Sequence, residues 1–541
     1  MGRGAVLAIL ATVNAFGCSA ARDAPPTIRF IDETAALGLP LSASSCLAVS
    51  DLDGDGWPDL ILGIGEQTVA VYENLDGKGF SGNAVPLPGY VRRAGRCITG
   101  QFGGSAATDV LILDDTGASD QWGLLLGGGR FTFTDATLSL PRAPEGLTTA
   151  TAIDLPDAQH TGVLFTTRRT MLPVSEAVAC GSGRRDFQCT LQLSAKSTVH
   201  LLSRVGDLDT DPFAARSLGE REGIVQALLV HRFLRDGPLV LAESTDMGKS
   251  AGFRLEFESD SAAPPQSLGP RLSLAPLADW PFGSAYAHGM GFVVDDLDGD
   301  GAFDLYMANA GPDLVGFGPA LEPTPFPTVH ESMGLHSAWA PVSGDFDSDG
   351  DVDLIVPNQV ITADTETLLE FAVGLGAPPP GAGAPFDHLL VNQLAQGAPR
   401  SFVHASLPHR DPVAMFEELV AATADFDGDG RLDVVIVGGP PTREVRLLMN
   451  RTETSGRSFR VAVHSASGRT NIGAVVRLLD PSGAYLGQRP LVGHGLGVSE
   501  PVAHFGLGDA TVGRVEVILG SGQILEVPGP FNASGVVLNV P

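Results

Sequence analysis

The sequence has few aromatic residues, few basic residues and no long apolar segment beyond its first residues. Phe, Trp and Tyr make up 6% of the 541 residues, and 34 Lys and Arg stand against 63 Asp and Glu, for a formal net charge of -29. No basic surface is evident that would replace the counterions of nucleic acid, so a nucleic-acid partner is not expected. The H-E-x-x-H motif of zinc peptidases is also missing.

Only the first residues form an apolar run. Residues 1–17 contain one Arg, an apolar core and small residues before Cys18, which is typical of a secretory signal peptide too short to span a membrane as a mature helix. Ala15-Phe16-Gly17-Cys18 resembles a bacterial lipobox, with Ala in place of the usual Leu. The resemblance implies lipidation of Cys18 and a lipid-anchored tether over residues 18–27, whereas the alternative is a cleaved signal with an incidental Cys. We therefore expect any membrane attachment to be through lipid alone.

Cysteine is scarce as well. Besides Cys18 the chain has Cys46, Cys97, Cys180 and Cys189, and an even number in an exported chain predicts two disulfides. Cys180 and Cys189 flank a short polar loop, while Cys46 and Cys97 each stand just before the start of a repeat unit and would lie on adjacent units. Four free buried thiols are the alternative, and zinc is disfavoured because no CxxC pair is present.

The chain is rich in Gly (67) and Pro (39) and repeats one acidic motif. DLDGDGWPDLILGIG from Asp51 recurs as DLDGDGAFDLYMANAG from Asp296, DFDSDGDVDLIVPN from Asp345 and DFDGDGRLDVVIVGG from Asp425. Weaker copies start at residues 101, 154, 207 and 232, so the period is roughly fifty to eighty residues. A strand-like apolar run follows each strong copy, and a second run often ends in Asn, at Asn74, Asn392 and Asn450.

These repeats predict an all-β fold. Units that cannot bury their apolar faces singly must stack or close into a ring, and a period of this size with about four strands suits a β-propeller blade. We predict a seven-bladed propeller over residues 28–452, or an eight-bladed one if the copies at 207 and 232 are both blades. Alternating strands with Gly turns predict a small β-domain over residues 455–541.

The spacing D-x-D-x-D-G-x-x-D predicts a hard cation in each of the four strong loops. Asp side chains at positions 1, 3, 5 and 9 and the carbonyl at position 7 would supply oxygen ligands, Gly at position 6 permits the bend, and calcium is the first choice. An EF-hand would need Glu at position 12, where this chain has Leu62, Met307, Val356 and Ile436. Plain Asp-Gly turns are the alternative. The predicted ligands of about four ions are Asp51, Asp53, Asp55, Trp57 and Asp59; Asp296, Asp298, Asp300, Ala302 and Asp304; Asp345, Asp347, Asp349, Asp351 and Asp353; and Asp425, Asp427, Asp429, Arg431 and Asp433, with Trp57, Ala302, Asp351 and Arg431 acting through their backbone carbonyls.

The acidic repeats resemble the FG-GAP/VCBS repeats of integrin α-subunit propellers and many exported bacterial proteins. Residues 288–309, together with FIDETAALGL from Phe30 and FVHASLPH from Phe402, are similar to blades of the cartilage acidic protein group. Residues 471–527, which include HFGLGDA and VEVILGSG, resemble the ASPIC/UnbV domain that follows the propeller in that group, although Leu519-Gly520 replaces its usual Trp-Pro. The resemblance implies a calcium-bound scaffold for extracellular interactions rather than a defined reaction.

Enzyme signals are few. GKSAG at residues 248–252 matches the G-x-S-x-G nucleophile elbow, but polar residues precede it and a strand-like segment follows, so we expect a turn at Ser250. We predict a non-catalytic scaffold for protein or glycan interaction or adhesion, held as a lipoprotein in the bacterial cell envelope, whether in the outer membrane, in the periplasm or at the surface. The alternative is a propeller hydrolase or lyase acting on extracellular polysaccharide, with carboxylates or a His/Tyr/Arg group at the channel mouth.

Overall fold

Short β-strands form most of the chain in the computed structural model. The structure describes residues 28–540 apart from 66–67, 87–93, 115–120, 145, 156–160, 171–194, 205–212, 247, 259–270, 284–285, 310–312, 327–335, 361–386, 409–417, 440–442, 455, 466–467, 469, 493–495 and 532–533. The predicted signal peptide, Cys18, the tether, Cys180, Cys189 and the weak copy at Asp207 lie outside the described residues. Within the described part, no helix has the length and apolar character that a membrane crossing requires.

Seven four-stranded antiparallel sheets, here called blades 1 to 7, occupy the described residues between 28 and 452. Blade 1 consists of Ser44–Ser50, Asp59–Gly63, Thr68–Asn74 and Phe80–Pro86; blade 2 of Ala94–Gly100, Asp109–Asp114, Trp122–Gly127 and Phe133–Asp135; blade 3 of Leu147–Asp154, Thr161–Thr170, Ala195–Arg204 and Phe213–Glu222; and blade 4 of Ile224–His231, Val240–Asp246, Ala251–Glu258 and Arg271–Pro276. Blade 5 consists of Gly289–Asp295, Asp304–Asn309, Leu314–Phe317 and Glu322–Pro325; blade 6 of Val342–Gly344, Asp353–Val356, His388–Asn392 and Phe402–Ser406; and blade 7 of Glu418–Ala424, Asp433–Gly438, Val445–Asn450 and the early strand Phe30–Asp32.

The blades form a closed ring, as a β-propeller requires. The first strand of each blade contacts the first strand of the next, and that of blade 7 contacts that of blade 1. Phe30–Asp32 pairs antiparallel with Val445–Asn450, so one sheet joins the two ends of the ring. Two strand pairs, Gly248–Lys249 with Tyr286–Ala287 and His336–Ala338 with Asn358–Val360, and two short 3-10 turns, Thr137–Ser139 and Pro281–Gly283, complete the described part of the ring.

Packing between blades explains why the second strands are continuously apolar rather than alternating. Every residue of Asp59–Gly63 and of Asp433–Gly438 is buried, because each blade is covered on both faces by its neighbours. Cys46 and Cys97, on the first strands of blades 1 and 2, form a disulfide within one of these apolar layers. The prediction that these two cysteines lie on adjacent repeat units is confirmed.

The C-terminal part, residues 457–540, forms two further sheets and is called here the C-terminal domain. One sheet contains Val502–Gly508, Arg457–Ser465 and Gly535–Val540, and the other contains Tyr485–Pro490, Val475–Leu479, Arg514–Ile518 and Ile524–Pro528. Apolar side chains from both sheets, such as Phe459, Val476 and Phe505, share one core. This domain lies against the end of the ring where the first strand of each blade turns into the second.

Candidate functional site: four acidic loops

The four acidic motifs occupy the same structural position. Each connects the first strand of its blade to the second, in blades 5, 6, 7 and 1, which are neighbours in the ring. The glycine at position 6 has a positive φ in every loop, from 85° at Gly301 to 103° at Gly350, a region that other residues enter at a cost. The predicted bend at this glycine is therefore present four times.

The aspartate at position 1 closes the bend. One carboxylate oxygen, Oδ2, accepts a hydrogen bond from the N–H of the position-6 glycine in all four loops, at 2.8 to 3.1 Å. The residues are Asp51 with Gly56, Asp296 with Gly301, Asp345 with Gly350, and Asp425 with Gly430. The loop thus curls around the other oxygen of the same side chain.

The aspartate at position 9 ties the loop to the third strand or to the residue after it. In blade 6, Asp353 accepts hydrogen bonds from the N–H of Phe346 at 2.9 Å and from the N–H of Asn392 at 2.8 Å. The same pair of bonds recurs at the other three loops, where Asp59 accepts from Leu52 and Asn74, Asp304 from Leu297 and Gly318, and Asp433 from Phe426 and Asn450. In blades 1, 6 and 7 each oxygen keeps a second lone pair, so this side chain can shape the turn and still face a cation. In blade 5, Asp304 Oδ2 also accepts the N–H of Asp298 at 3.3 Å.

The Asn residues that end the third strands link neighbouring blades. The Asn450 amide of blade 7 donates to Phe346 O in the loop of blade 6 at 2.7 Å, and Asn392 of blade 6 donates to Leu297 O in blade 5 at 2.8 Å. Asn74 of blade 1 donates to Phe426 O in blade 7 at 2.9 Å. The acidic loops of blades 5, 6 and 7 are therefore held by the following blade as well as by their own.

Carboxylates converge in each loop. In blades 1, 6 and 7 the side chains at positions 1, 3 and 9 bring one oxygen each within 4.8 Å of the others; in blade 5 the side chains at positions 1, 3 and 5 do so. The groups are Asp51, Asp53 and Asp59; Asp296, Asp298 and Asp300; Asp345, Asp347 and Asp353; and Asp425, Asp427 and Asp433. At position 5, Asp55, Asp300, Asp349 and Asp429 accept the N–H of the position-7 residue, respectively Trp57, Ala302, Asp351 and Arg431, at 2.8 to 3.1 Å.

The converging carboxylates have more negative charge than the protein around them satisfies. Both oxygens of Asp347, and one oxygen each of Asp296 and Asp425, are buried without a hydrogen-bond donor. Burial, reinforced by repulsion from Asp349, raises the pKa of Asp347 to about 9, and burial raises the pKa of Asp304 to about 8. Buried carboxylate oxygens that lack donors are the ligands that calcium takes, so the residues present fit such an ion.

The corresponding loop of blade 2 keeps a single acidic residue of the motif. Asp109 accepts hydrogen bonds from the N–H groups of Gly103 and Gly127 at 2.7 and 2.8 Å, as the position-9 aspartates do elsewhere. The Arg204 guanidinium, at the end of the third strand of blade 3, donates to Gly103 O at 2.5 Å. Arg204 thereby replaces the linking Asn, and no sequence motif marks this role.

The C-terminal domain covers three of the four acidic loops. The Tyr485 hydroxyl donates to Asp296 Oδ2 in blade 5, and Arg460 Nη1 lies 3.7 Å from Asp425 Oδ2 in blade 7. In blade 6 a Cβ added to Gly506 would lie 2.0 Å from Asp345 Oδ2. Sequence reasoning missed these contacts, and the one available signal was compositional, because residues 455–541 contain six Arg against five acidic residues in an otherwise acidic chain.

A segment of the C-terminal domain enters the central channel of the ring at the same end. Val498 pairs with the first strand of blade 1, exchanging backbone hydrogen bonds with Leu47 O and the Val49 N–H, and Glu500 donates to Thr423 O of blade 7 at 3.1 Å. Leu496 is buried among apolar residues of the first strands. This mouth of the channel is therefore filled by the chain itself.

Ser250 has no nucleophile elbow around it. It lies between the short strand Gly248–Lys249 and the strand Ala251–Glu258, where an elbow would need a helix to follow. Its hydroxyl is buried beside Met307 Sδ at 3.6 Å and the N–H of Thr245 at 3.3 Å. The residue therefore lacks the exposure that a nucleophile needs.

The solved structures named here are distant likenesses of this chain. No protein-family model and no curated protein matches the sequence. Among solved structures, BBS1N in complex with ARL6DN is 10% identical, with a TM-score of 0.38 over 79% of this chain and 98% of that chain. A Bacillus licheniformis rhamnogalacturonan lyase is 11% identical, with a TM-score of 0.33 over 75% and 71%, and the Trypanosoma rangeli sialidase is 9% identical, with a TM-score of 0.31 over 76% and 55%. Likenesses this distant carry no argument about the function of this chain.

Proposed function

We propose that this chain is a calcium-stabilised, non-catalytic propeller scaffold that binds a protein or glycan partner at the bacterial cell envelope, where an N-terminal lipid on Cys18 holds it. The observation that carries the proposal is the set of buried carboxylate oxygens in the acidic loops that meet no hydrogen-bond donor. Calcium outside the cytoplasm reaches concentrations that fill such sites, and an ion that binds only the folded state stabilises it by mass action.

A scaffold is favoured over a polysaccharide-acting enzyme by the channel mouth beside the acidic loops. An enzyme of that kind needs an open mouth with catalytic side chains away from the ion loops. Here Leu496, Val498 and Glu500 fill the mouth instead, and Glu500 pairs with Arg460 at 2.8 Å. The FG-GAP/VCBS and ASPIC/UnbV resemblance of the motifs agrees with a binding role.

The proposal is tested by measuring bound metal and thermal stability of the purified protein, first with calcium and then after chelation. We expect about four calcium ions per chain and a clear fall in melting temperature on chelation, which added calcium reverses and magnesium does not, because magnesium dehydrates reluctantly and demands octahedral geometry. A protein that binds no calcium and melts at the same temperature in chelator would overturn the ion sites, and the loops would then be solvated turns.

A matched pair of variants assigns the ions to individual loops. Asp53→Asn and Asp347→Asn change the same motif position in blades 1 and 6, and each should lower the calcium content by one ion. The exposed Ser105→Ala in the loop of blade 2, which carries no acidic cluster, should leave the content unchanged. Partner capture is informative only with calcium-loaded protein, so it follows these measurements.

A further inference from the structure

One carboxylate in each of blades 5, 6 and 7 belongs both to an ion site and to the contact with the C-terminal domain. Asp296, Asp345 and Asp425 all occupy position 1 of the motif, and in each the oxygen Oδ2 is the one that the C-terminal domain approaches. The other oxygen of Asp296 and of Asp425 is buried without a hydrogen-bond donor. The same side chain can therefore offer one oxygen to an ion and the other to the C-terminal domain.

Further contacts surround these three carboxylates. The Gln488 amide donates to Gly301 O at 3.2 Å, the Gly508 N–H donates to Ser348 O at 3.2 Å, and His504 Nε2 donates to Gly430 O at 2.9 Å. The backbone of each loop, and not only its charge, is thus part of the surface that the domain touches. A loop that changes shape when its carboxylates repel one another would disturb this surface.

The loop of blade 1 differs although its motif is complete. Oδ1 and Oδ2 of Asp51 accept the N–H groups of Gly54 and Gly56 in their own loop at 2.7 and 3.0 Å. Asp51 and Asp53 line a cleft of about 670 Å³ that also borders Val537. This loop therefore faces the C-terminal domain across a cleft, without a hydrogen bond to it among the described residues, and provides an internal comparison.

We propose that cation binding to the loops of blades 5, 6 and 7 controls the docking of the C-terminal domain on the ring, through the shared carboxylates of Asp296, Asp345 and Asp425. The inference rests on the ion sites of the proposed function. With ions bound, the position-1 side chains are fixed where Tyr485, Gly506 and Arg460 meet them. Without ions, the loops lose that shape, and the domain and its channel segment leave the mouth of the ring.

The channel segment supplies a direct readout of docking. The N–H groups of Val498, Glu500 and Gly508 donate to Leu47 O, Thr423 O and Ser348 O of the ring, at 3.2, 3.1 and 3.2 Å. These amides are protected from hydrogen exchange only while the domain is docked. Amides inside Asp433–Gly438 of blade 7 report instead on the ring itself.

The test is hydrogen–deuterium exchange of the purified protein in calcium and in chelator. We expect the amides of residues 498, 500 and 508 to exchange at least about tenfold faster in chelator, by opening of the domain rather than of the blades. Unchanged exchange in protein shown to have lost its calcium overturns the docking proposal and leaves the calcium sites standing. A protein that never binds calcium overturns the proposed function itself.

Two variants in saturating calcium locate the effect. Asp347→Asn removes a ligand in blade 6 whose two carboxylate oxygens accept no hydrogen bond from the C-terminal domain, and it should accelerate exchange of the Gly508 amide severalfold. Asp53→Asn removes the equivalent ligand in blade 1 and should leave that amide unchanged. Equal effects of the two variants, or no effect of either, contradict coupling through the covered loops.

Coupling must also run in the opposite direction, because linkage between two binding events is reciprocal. A Cβ added to Gly497 would lie 2.3 Å from Ala421 O, so Gly497→Val should undock the domain without touching any carboxylate. Calorimetric titration with calcium should then show three sites weakened severalfold and one unchanged. Four unchanged affinities in a variant whose residue 498 and 500 amides exchange freely would refute the proposal.

Discussion

Blades 6 and 2 connect their first two strands with loops over residues 345–352 and 101–108, but only the first loop is acidic. Both loops are tied down by a buried aspartate at the start of the second strand, Asp353 in one and Asp109 in the other. Both also receive a hydrogen bond from the following blade, through Asn450 in one case and Arg204 in the other. The shape of the turn and its charge are therefore separate properties.

This difference assigns roles within the motif. The loop of blade 2 keeps the aspartate at position 9 but has no aspartate at positions 1, 3 and 5. The position-9 carboxylate satisfies two buried N–H groups whether or not an ion is present. The carboxylates at positions 1 and 3 converge in the acidic loops and are absent from the loop of blade 2. We therefore expect the loops of blades 5, 6, 7 and 1 to need a cation, whereas the loop of blade 2 has no acidic cluster to bind one.

The largest effect is expected from removing the position-9 carboxylate. Asp109→Ala and Asp353→Ala each leave two buried N–H groups without an acceptor, at about 1–3 kcal/mol for each group. We expect both variants to lose about 2–6 kcal/mol in denaturant unfolding, and the loss in Asp109→Ala to be the same with calcium or chelator. The exposed Ser105→Ala in the same loop should be neutral. A calcium-dependent loss in Asp109→Ala would contradict the separation of shape from charge.

The second expected effect concerns the contact between blade 1, which has an acidic loop, and blade 2, which has none. The disulfide Cys46–Cys97 joins blade 1 to blade 2 across a sequence separation of 51, and closing such a loop typically stabilises a protein by about 2–4 kcal/mol. The double variant Cys46→Ala/Cys97→Ala should lose this amount with or without calcium. If Cys180 and Cys189 also pair, removing that shorter link should cost less, because the entropy of loop closure grows with length. An unchanged unfolding midpoint in the Cys46/Cys97 variant would contradict the first expectation.

Much of the fold could be predicted from local sequence patterns. The acidic motif marked the loops between first and second strands in four blades, the apolar runs after it marked second strands, and Asn74, Asn392 and Asn450 marked the ends of third strands. These features depend on neighbours in the sequence or on one neighbouring blade. The pairing of Cys46 with Cys97 could be anticipated for the same reason, since both precede repeat starts.

Contacts between distant segments could not be read from the pattern. Tyr485 and Asp296 meet across 189 positions, and the meeting depends on how one domain sits on another, which no local period encodes. Arg204 links blade 3 to blade 2 from a strand end where Asn stands elsewhere, so a search for the repeat residue misses it. The second function of the position-9 aspartate was also hidden, because a carboxylate that accepts N–H groups and one that binds an ion look alike in a sequence.

The third expected effect is a change in the free energy of unfolding whose sign depends on whether calcium is present. In calcium, Asp347→Asn forfeits one ion and should lower the free energy of unfolding by about 1–3 kcal/mol, the stabilisation that a site filled well above its dissociation constant provides. In chelator, burial and repulsion from Asp349, Asp345 and Asp351 raise the pKa of Asp347 to about 9, so at neutral pH this carboxyl must take up a proton on folding. Asn needs no such proton, so the variant should be more stable than the parent protein. Denaturant unfolding under both conditions measures this. A loss of stability in both would mean that the carboxylate shapes the loop, as Asp109 does.

The smallest expected effect is a dependence of the free energy of unfolding on pH. It arises from Glu243 in blade 4, which has no acidic loop. Glu243 is fully buried with Arg221 Nε at 2.8 Å, and burial, opposed by that guanidinium, raises the pKa of Glu243 to about 7. Because the folded-state pKa lies above the ordinary value of 4.5, the folded state holds this proton more tightly than the unfolded state. The resulting stability is complete below about pH 4.5 and is lost as the pH rises through about 7.

Glu243→Gln removes this titration. Between about pH 5.5 and 6.5, the free energy of unfolding should therefore fall by about 1 kcal/mol less in the variant than in the parent protein. Comparison with the exposed Glu220→Gln of blade 3, at constant saturating calcium, cancels the contribution of the acidic loops. Parallel pH profiles for Glu243→Gln and the parent protein would mean that Arg221 keeps Glu243 ionised throughout. Glu243 of blade 4 and Arg221 of blade 3 would then form a permanent ion pair, in contrast to the exchangeable cation that we expect in blades 5, 6, 7 and 1.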